Sequence, residues 1–320
     1  MRFLTRRLLH AALLLLVVSF FSFALLQMAP GDYFDSLRMN PQISEQTVEA
    51  IRAHHGLDRP LPVRYALWLR DLSRWELGYS LASNTPVAPL VAVRARNTLV
   101  LSGVATVLAW LMALPLGVWS GAKRGRWMDR TASVATSTML TIPDLLLFLA
   151  LLLLAVRTNW FPTGGMISLS SDSGSFWASC MDVAFHLVLP ASGLALAMLP
   201  VLLRHVRTAM IEVLNSPFIR AGRGHGIPRA RLLFRYALPA ASNPLISLLG
   251  FSVATMLSTS MIAEIVLSWP GLGTLMVESI FARDQYVVVA IVLLSSVFLL
   301  AGNLMADLLL VASDPRIRTE

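Results

Sequence analysis

Six long apolar runs decide what this chain can become; they lie at approximately 8–28, 97–119, 131–156, 183–203, 243–267 and 286–312. Each matches the ~20 residues that a helix needs to cross a ~30 Å hydrocarbon core. The expected fold is therefore an all-α integral membrane protein with six transmembrane helices. Composition agrees, with 56% of the 320 residues hydrophobic and 14% charged and a mean hydropathy of +0.67. The first run follows the basic stretch MRFLTRR, as a signal peptide would, but it exceeds the 7–15 residues of a typical signal core. It ends in LLQMAPGD without a small-x-small cleavage site, so it is read as a retained span.

The formal net charge of +8 belongs to the membrane rather than to nucleic acid. Basic residues cluster at Arg2, Arg6 and Arg7, at Lys123, Arg124, Arg126 and Arg130, between the fourth and fifth runs, and at Arg316 and Arg318. In a six-span chain all these segments fall on one side, which the positive-inside rule makes cytoplasmic, with both termini there. The opposite segments 157–182 and 268–285 are nearly neutral. Segment 29–96 balances eight arginines against seven acids, and loops of that length weigh little in the rule.

The sequence thus divides into a cytoplasmic start and first span (1–28), an outer segment with short helices (29–96), a five-helix core (97–312) and a cytoplasmic tail (313–320). In the outer segment, Ser44 is placed to cap a helix carrying Glu45, Val48 and Ile51 and ending at Gly56. Beyond Pro62, residues Tyr65, Trp68, Leu69, Leu72 and Trp75 recur at helical spacing. Such an amphipathic helix suits either the membrane interface or packing against neighbouring spans. Pro115, Pro143, Pro190 and Pro200 lie in the runs, where helix breaks are tolerated next to protein or a water-filled pathway. Asp144, Glu264 and Asp307 are the ionisable groups noted within or near the runs. Such residues usually face a bundle interior, and Glu264 fits either a gate or a structural hydrogen bond between helices.

Catalytic and ligand motifs are missing. The single lysine, Lys123, lies in SGAKRGRW, which lacks the G-x-x-x-x-G-K-[ST] context that holds nucleotide phosphates. There is no G-x-S-x-G or H-E-x-x-H, no Cys/His spacing for zinc and only one cysteine, Cys180. The chain is expected to be no enzyme and to bind neither metal nor cofactor. An ion-gradient-driven secondary transporter is the alternative, and it would call for repeated halves with interrupted helices.

One block departs from the apolar background. FIRAGRGHGIPRARLLFRYALP, 218–239, holds five arginines, three glycines and no acid. Its layout is Arg220-Ala221-Gly222, then Gly226 after three residues, then Tyr236-Ala237-Leu238-Pro239 after nine more. This resembles the E-A-A-x3-G-x9-I-x-L-P loop of ABC importer permeases, in the arginine-rich form of the dipeptide, oligopeptide and nickel permease family. Arg220 replaces the glutamate, Gly222 the second alanine and Tyr236 the isoleucine. Other stretches resemble that family in the same order: RRLLHAALLLLVVSFFSFALLQMAPGD (6–32), GLDRPLPVRYALWL (56–69), LGYS (77–80), NTLVLS (97–102), SWPGLGTLMVESIFARDQYVV (268–288) and DPRIR (314–318).

The resemblance implies a type I importer permease of the cell inner membrane, paired with a homologous second permease. It also implies two cytoplasmic ATPase subunits carrying ATP and Mg²⁺, and an extracytoplasmic solute-binding protein that delivers the solute, with peptide the default. Within loop 204–240, it makes Arg220, Ala221, Gly222, Gly226, Pro228, Tyr236, Leu238 and Pro239 an ATPase-coupling element of two short helices meeting at Gly226. Trp269, Pro270, Gly271 and Gly273 form an outer turn, and Glu264 and Asp144 are candidate pathway groups. From Pro228 onward, Leu232, Leu233, Tyr236 and Ala237 are expected to form an apolar stripe. A basic loop that only sets topology and touches anionic lipid is the plainer reading. RNA binding is disfavoured by the lack of interleaved aromatics.

Overall fold

The computed structural model of the chain describes residues 2–28, 44–54, 59–168 and 176–313, together with Phe34 and Arg38. Gly56, Pro30 to Asp32 and the terminal DPRIR lie outside the described residues. The helices are α1 (Arg2–Met28), α2 (Glu45–His54), α3 (Leu61–Leu72), α4 (Val87–Ala122), α5 (Trp127–Thr141), α6 (Asp144–Thr158), α7 (Phe176–Leu214), α8 (Pro217–Gly224), α9 (Arg229–Arg231), α10 (Leu238–Ala240), α11 (Ser242–Val266), α12 (Leu272–Phe281) and α13 (Gln285–Ser313). A π-helical segment, Leu232–Ala237, joins α9 to α10. A two-residue ladder, Tyr79–Ser80 against Thr85–Pro86, is the sole sheet among the described residues.

Five helices are long and apolar enough to cross a membrane, or six if α5 and α6 count as one span. The third apolar run is not one straight helix, because α5 and α6 meet at 97°. The break sits at Ile142-Pro143. A proline disfavours helical geometry in the residue before it, and Ile142 is extended at φ −85°, ψ 119°. Asp144 consequently opens α6 instead of lying mid-span. The other prolines do not break their helices: α4 continues past Pro115, and α7 past Pro190 and Pro200.

Two compact units emerge. The first comprises Met1–Asn97 and Pro270–Phe298. In it, the amphipathic α3 packs on α1: Phe23 and Trp68 are buried together, flanked by Tyr65, Leu69 and Leu72. The Tyr65 hydroxyl also donates to the Leu16 carbonyl at 3.1 Å. Of the two settings the sequence allows for this helix, packing against a span is the one observed. Ser44 accepts from the Thr47 amide at 3.2 Å, capping α2 as its sequence suggests. The ladder is tied to the head of α13, where Asp284 accepts from the Ser80 hydroxyl at 2.6 Å and from the Ala82 amide at 3.2 Å.

The second unit comprises Thr98–Trp269 and Leu299–Glu320. Its centre is α7, whose Leu194, Ala195 and Leu202 are fully buried. Facing α7, α4 presents small or apolar side chains at every fourth position. Leu101, Ala105, Ala109 and Ala113 all sit in the main cluster, and Gly117 and Gly121 continue the row. Residues four apart share one helix face, so the row is a smooth track, and α7 comes close to its glycine end. A Cβ on Gly117 would stand 2.7 Å from Val206 Cβ, and one on Gly121 would stand 2.9 Å from Met210 Cβ. Small residues at four-residue spacing permit this approach in membranes, where association rests on close packing. Between α4 and α11, the Trp110 indole donates to Ser252 at 2.9 Å.

Gly117→Val is expected to lower stability by about 1–3 kcal/mol, the usual cost of overpacking, read as a lower thermal unfolding midpoint in mild detergent. Gly103 has open space around its Cβ position, so Gly103→Ala should leave the midpoint unchanged or raise it. Equal effects from the two substitutions would contradict the tight α4–α7 contact.

Candidate functional site

The arginine block folds into a compact projection beyond the end of α7. Ser216 and Pro217 start α8, proline being suited to the first helical turn. The helix closes in a Schellman arrangement: the Gly226 amide donates to Arg223 O at 3.0 Å and the Ile227 amide to Gly222 O at 3.1 Å. Gly226 is left-handed at φ +73°, a conformation that costs an L-residue roughly 1–2 kcal/mol. Gly222 serves a different purpose. A Cβ there would meet Leu232 Cδ2 at 2.8 Å, so its bare Cα lets the second arm of the loop fold onto the first.

After Pro228 the chain enters α9, then widens. The Leu238 amide donates to Leu233 O, five residues back. The widening lies just before Pro239, which has no N–H and whose ring excludes the carbonyl four residues earlier. This changes the expected stripe. Leu232 and Ala237, five apart, are buried, and Leu233 is half-buried. Tyr236 points outward, 42% exposed, because π geometry rotates it off the face that an α-helix would give it.

The loop is anchored by its apolar side. Ile219, Leu232 and Ala237 join Val118 of α4 and Val206, Ala209 and Met210 of α7 in one buried cluster. Arg220, Ala221, Gly226, Pro228 and Pro239 are exposed, as are Phe218 and Phe234, while Leu238 is half-buried against the cluster. The result is a compact knob with a basic and aromatic outer face.

An ion pair that the sequence reading missed braces the same end of the unit. Arg207 of α7 grips Asp129 of α5 with two hydrogen bonds, Nε to Oδ1 at 2.5 Å and Nη2 to Oδ2 at 2.9 Å. Asp129 also accepts from the Ser120 hydroxyl at 2.7 Å and the Gly125 amide at 2.9 Å. The carboxylate is buried, and the guanidinium about one-quarter exposed. Thus α4, the 123–126 turn, α5 and α7 meet at one carboxylate. The available signal was a lone acid, Asp129, among Lys123, Arg124, Arg126 and Arg130.

The other candidate residues are dispersed. Glu264 is fully buried near the end of α11, and its carbonyl accepts from the Trp269 amide at 2.9 Å. Trp269 is fully buried in the main cluster of the second unit. Ala155, Leu189 and Leu267 form one cluster, which sets the Glu264 end of α11 beside the far end of α6. Asp144 opens α6, eleven residues away along that helix, about 16 Å at the α-helical rise. The two carboxylates therefore do not form a pair. In the first unit the Pro270 carbonyl accepts from Asn97 Nδ2 at 2.8 Å, Gly271 precedes α12, and Gly273 is buried in its first turn. The turn expected on the outer side thus leads into a helix that the sequence did not predict. Among the described residues, no group of three His, Cys, Asp or Glu is arranged to hold a metal.

Comparison with known proteins fits this architecture. Residues 113–319 match the family described as binding-protein-dependent transport system inner membrane component. Residues 1–102 match the family of the N-terminal part of such membrane components. The chain belongs to this family. Its relatives include the oligopeptide transport system permease protein AppB of Bacillus subtilis, 36% identical over 98% of each chain. The oligopeptide permease protein OppB of Mycobacterium tuberculosis and the dipeptide permease protein DppB of Escherichia coli are each 30% identical over 99% of both chains. An inward-facing structure of the MetNI methionine ABC transporter shares the fold, with a TM-score of 0.58 and 18% identity over 70% of this chain and 96% of that one.

The permease is accordingly a component of a transport system and not an enzyme, and its place is the inner membrane. Family membership also implies ATPase subunits and a substrate-binding protein as partners, which sets aside the ion-gradient alternative. For the ion pair, Asp129→Ala should cost about 2 kcal/mol. Breaking a buried pair costs about 3–5 kcal/mol, reduced here because water screens the partly exposed Arg207. Thermal unfolding in detergent measures this. Asp129→Asn combined with Arg207→Gln keeps an acceptor for Ser120 and Gly125 and should recover most of the loss; failure to recover would show that the charges themselves matter.

Proposed function

We propose that this permease imports peptides by alternating access, with the 217–240 knob as the element through which ATPase subunits act on the spans. The supporting observation is the knob's construction. It is locked by the Gly226 turn, fused to α4 and α7 through Ile219, Leu232 and Ala237, and free on its outer face. A partner that grips Arg220, Ala221, Tyr236 and Pro239 would move α4 and α7 with it. ATP and Mg²⁺ belong to two such ATPases on the cytoplasmic side, which also holds both termini. The peptide assignment rests on the names of the relatives, which are oligopeptide and dipeptide permeases.

A homologous second permease completes the pathway. The solute-binding protein docks on segment 29–96 and on the outer turn Trp269, Pro270, Gly271 and Gly273. The buried Glu264, in the helix that leads to this turn, and Asp144, at the α5–α6 break, are the candidate pathway groups. Alternating access requires a two-state bundle whose equilibrium the ATPases bias.

Gly226 gives the direct test. No heavy atom lies within 4 Å of the Cβ it would carry, so substitution acts through backbone strain alone. Gly226→Val is expected to cut ATP-driven peptide uptake about tenfold, the scale of the left-handed penalty for an L-residue, while membrane insertion is kept. Gly226→Asn should retain more uptake, since asparagine visits that region more readily. Normal uptake and normal ATPase association in the valine variant would remove Gly226 from the coupling role.

A further inference from the structure

A basic recess opens between the 123–126 turn and the knob. Its volume is about 500 Å³, and five cations line it: Lys123, Arg124, Arg126, Arg223 and Arg229. No acidic side chain lines it. The carboxylate in the neighbouring first turn of α5, Asp129, is already held by Arg207, Ser120 and the Gly125 amide. The contacts that two of the cations make carry no negative charge. Lys123 Nζ lies 4.7 Å above the Trp119 ring, and Arg223 Nη2 donates to the Leu214 carbonyl at 3.4 Å. Five positive groups facing one cavity without a carboxylate repel one another, so an anion there lowers the energy of the whole array.

The rest of the wall is apolar. Trp119, Leu232, Leu233 and Phe234 line the same recess, and Trp119 and Phe234 are 46% and 62% exposed. Trp119 and the exposed Trp127 bracket the basic turn. Tryptophan concentrates at the level of the headgroups, which puts the mouth of the recess at the membrane boundary. A site that is cationic at one edge, greasy at the other and level with the bilayer surface fits an amphiphile. It is a worse match for a protein acid, which would bring no chain for the exposed rings to cover.

We propose that this recess binds the phosphate headgroup of an anionic phospholipid, with its acyl chains lying against Trp119 and Phe234. The lipid then bridges the turn and both arms of the knob, joining α4 to the loop through charges that are otherwise unmatched. Basic pockets between spans are a known place for acidic headgroups.

The test uses the assembled transporter, purified in mild detergent and exchanged into nanodiscs of phosphatidylcholine with or without one part in four phosphatidylglycerol. Native mass spectrometry counts the phosphatidylglycerol retained. The double variant Lys123→Gln/Arg126→Gln should weaken that retention about thirtyfold, two basic contacts at the usual value of each. Arg204→Gln/Arg231→Gln, which alters two exposed arginines outside the recess, should leave it unchanged and controls for the lost charge. If the recess variant inserts poorly, Arg223→Gln alone reports on the same site with the turn intact. Equal retention in recess and control variants would overturn the proposal. So would loss of ATPase subunits with lipid retention intact, which would assign the cations to a protein partner. Displacement of the lipid by millimolar inorganic phosphate would also overturn it, because a free anion would then suffice.

Discussion

The close contact between α4 and α7 is the constraint on which the second unit depends. Within a bilayer there is no water to drive helices together, so association rests on how well their surfaces fit. From Leu101 to Gly121, every fourth residue of α4 is leucine, alanine or glycine, and all six are buried. The last two let Val206 and Met210 press on the backbone itself. That contact brings the ends of α4 and α7 together and creates the apolar seat into which Ile219 and Leu232 insert. The knob is thus an extension of the helix pair, and the Asp129–Arg207 grip fixes α5 to the same point.

This arrangement explains how an element with so much charge is held stiffly. Its arginines contribute little to its fold, since α8, α9 and the π segment are retained by a buried apolar side and a glycine-closed turn. The charges remain available for partners. One surface of the knob faces outward, where we propose that ATPase subunits grip it, and the recess beside it is lined by five cations. The ends of α4 and α7 and the loop meet within a few residues of Gly121.

Much of this was legible from sequence because the controlling signals are local. Runs of apolar residues report the bilayer thickness, and all but the third became a single long helix. Gly226 announced a turn because few other residues accept its dihedral angle. The features that escaped depend on pairing. The track on α4 looks like an ordinary alanine-rich stretch until α7 lies against it. Asp129 and Arg207 are 78 residues apart and become a pair only when α5 returns along α7. The rotation of Tyr236 out of the buried stripe follows from the π turn, which a simple 3.6-residue period cannot anticipate. The break at Pro143 was visible as a proline, but Pro115, Pro190 and Pro200 sit in continuous helices, so proline alone did not decide.

The central claim is that the knob and α7 move as one body when the transporter changes state. A distance measurement between spin labels tests it, with one label at Arg204→Cys on α7 and one at Arg235→Cys on the knob. Both sites are exposed, and the single native cysteine, Cys180, is first replaced by serine. In the assembled transporter the distance distribution should be the same without nucleotide and with ATP trapped, while labels across the proposed permease pair change their separation. A 204–235 distance that shifts or broadens with nucleotide would show that the loop flexes on its own and would contradict the account.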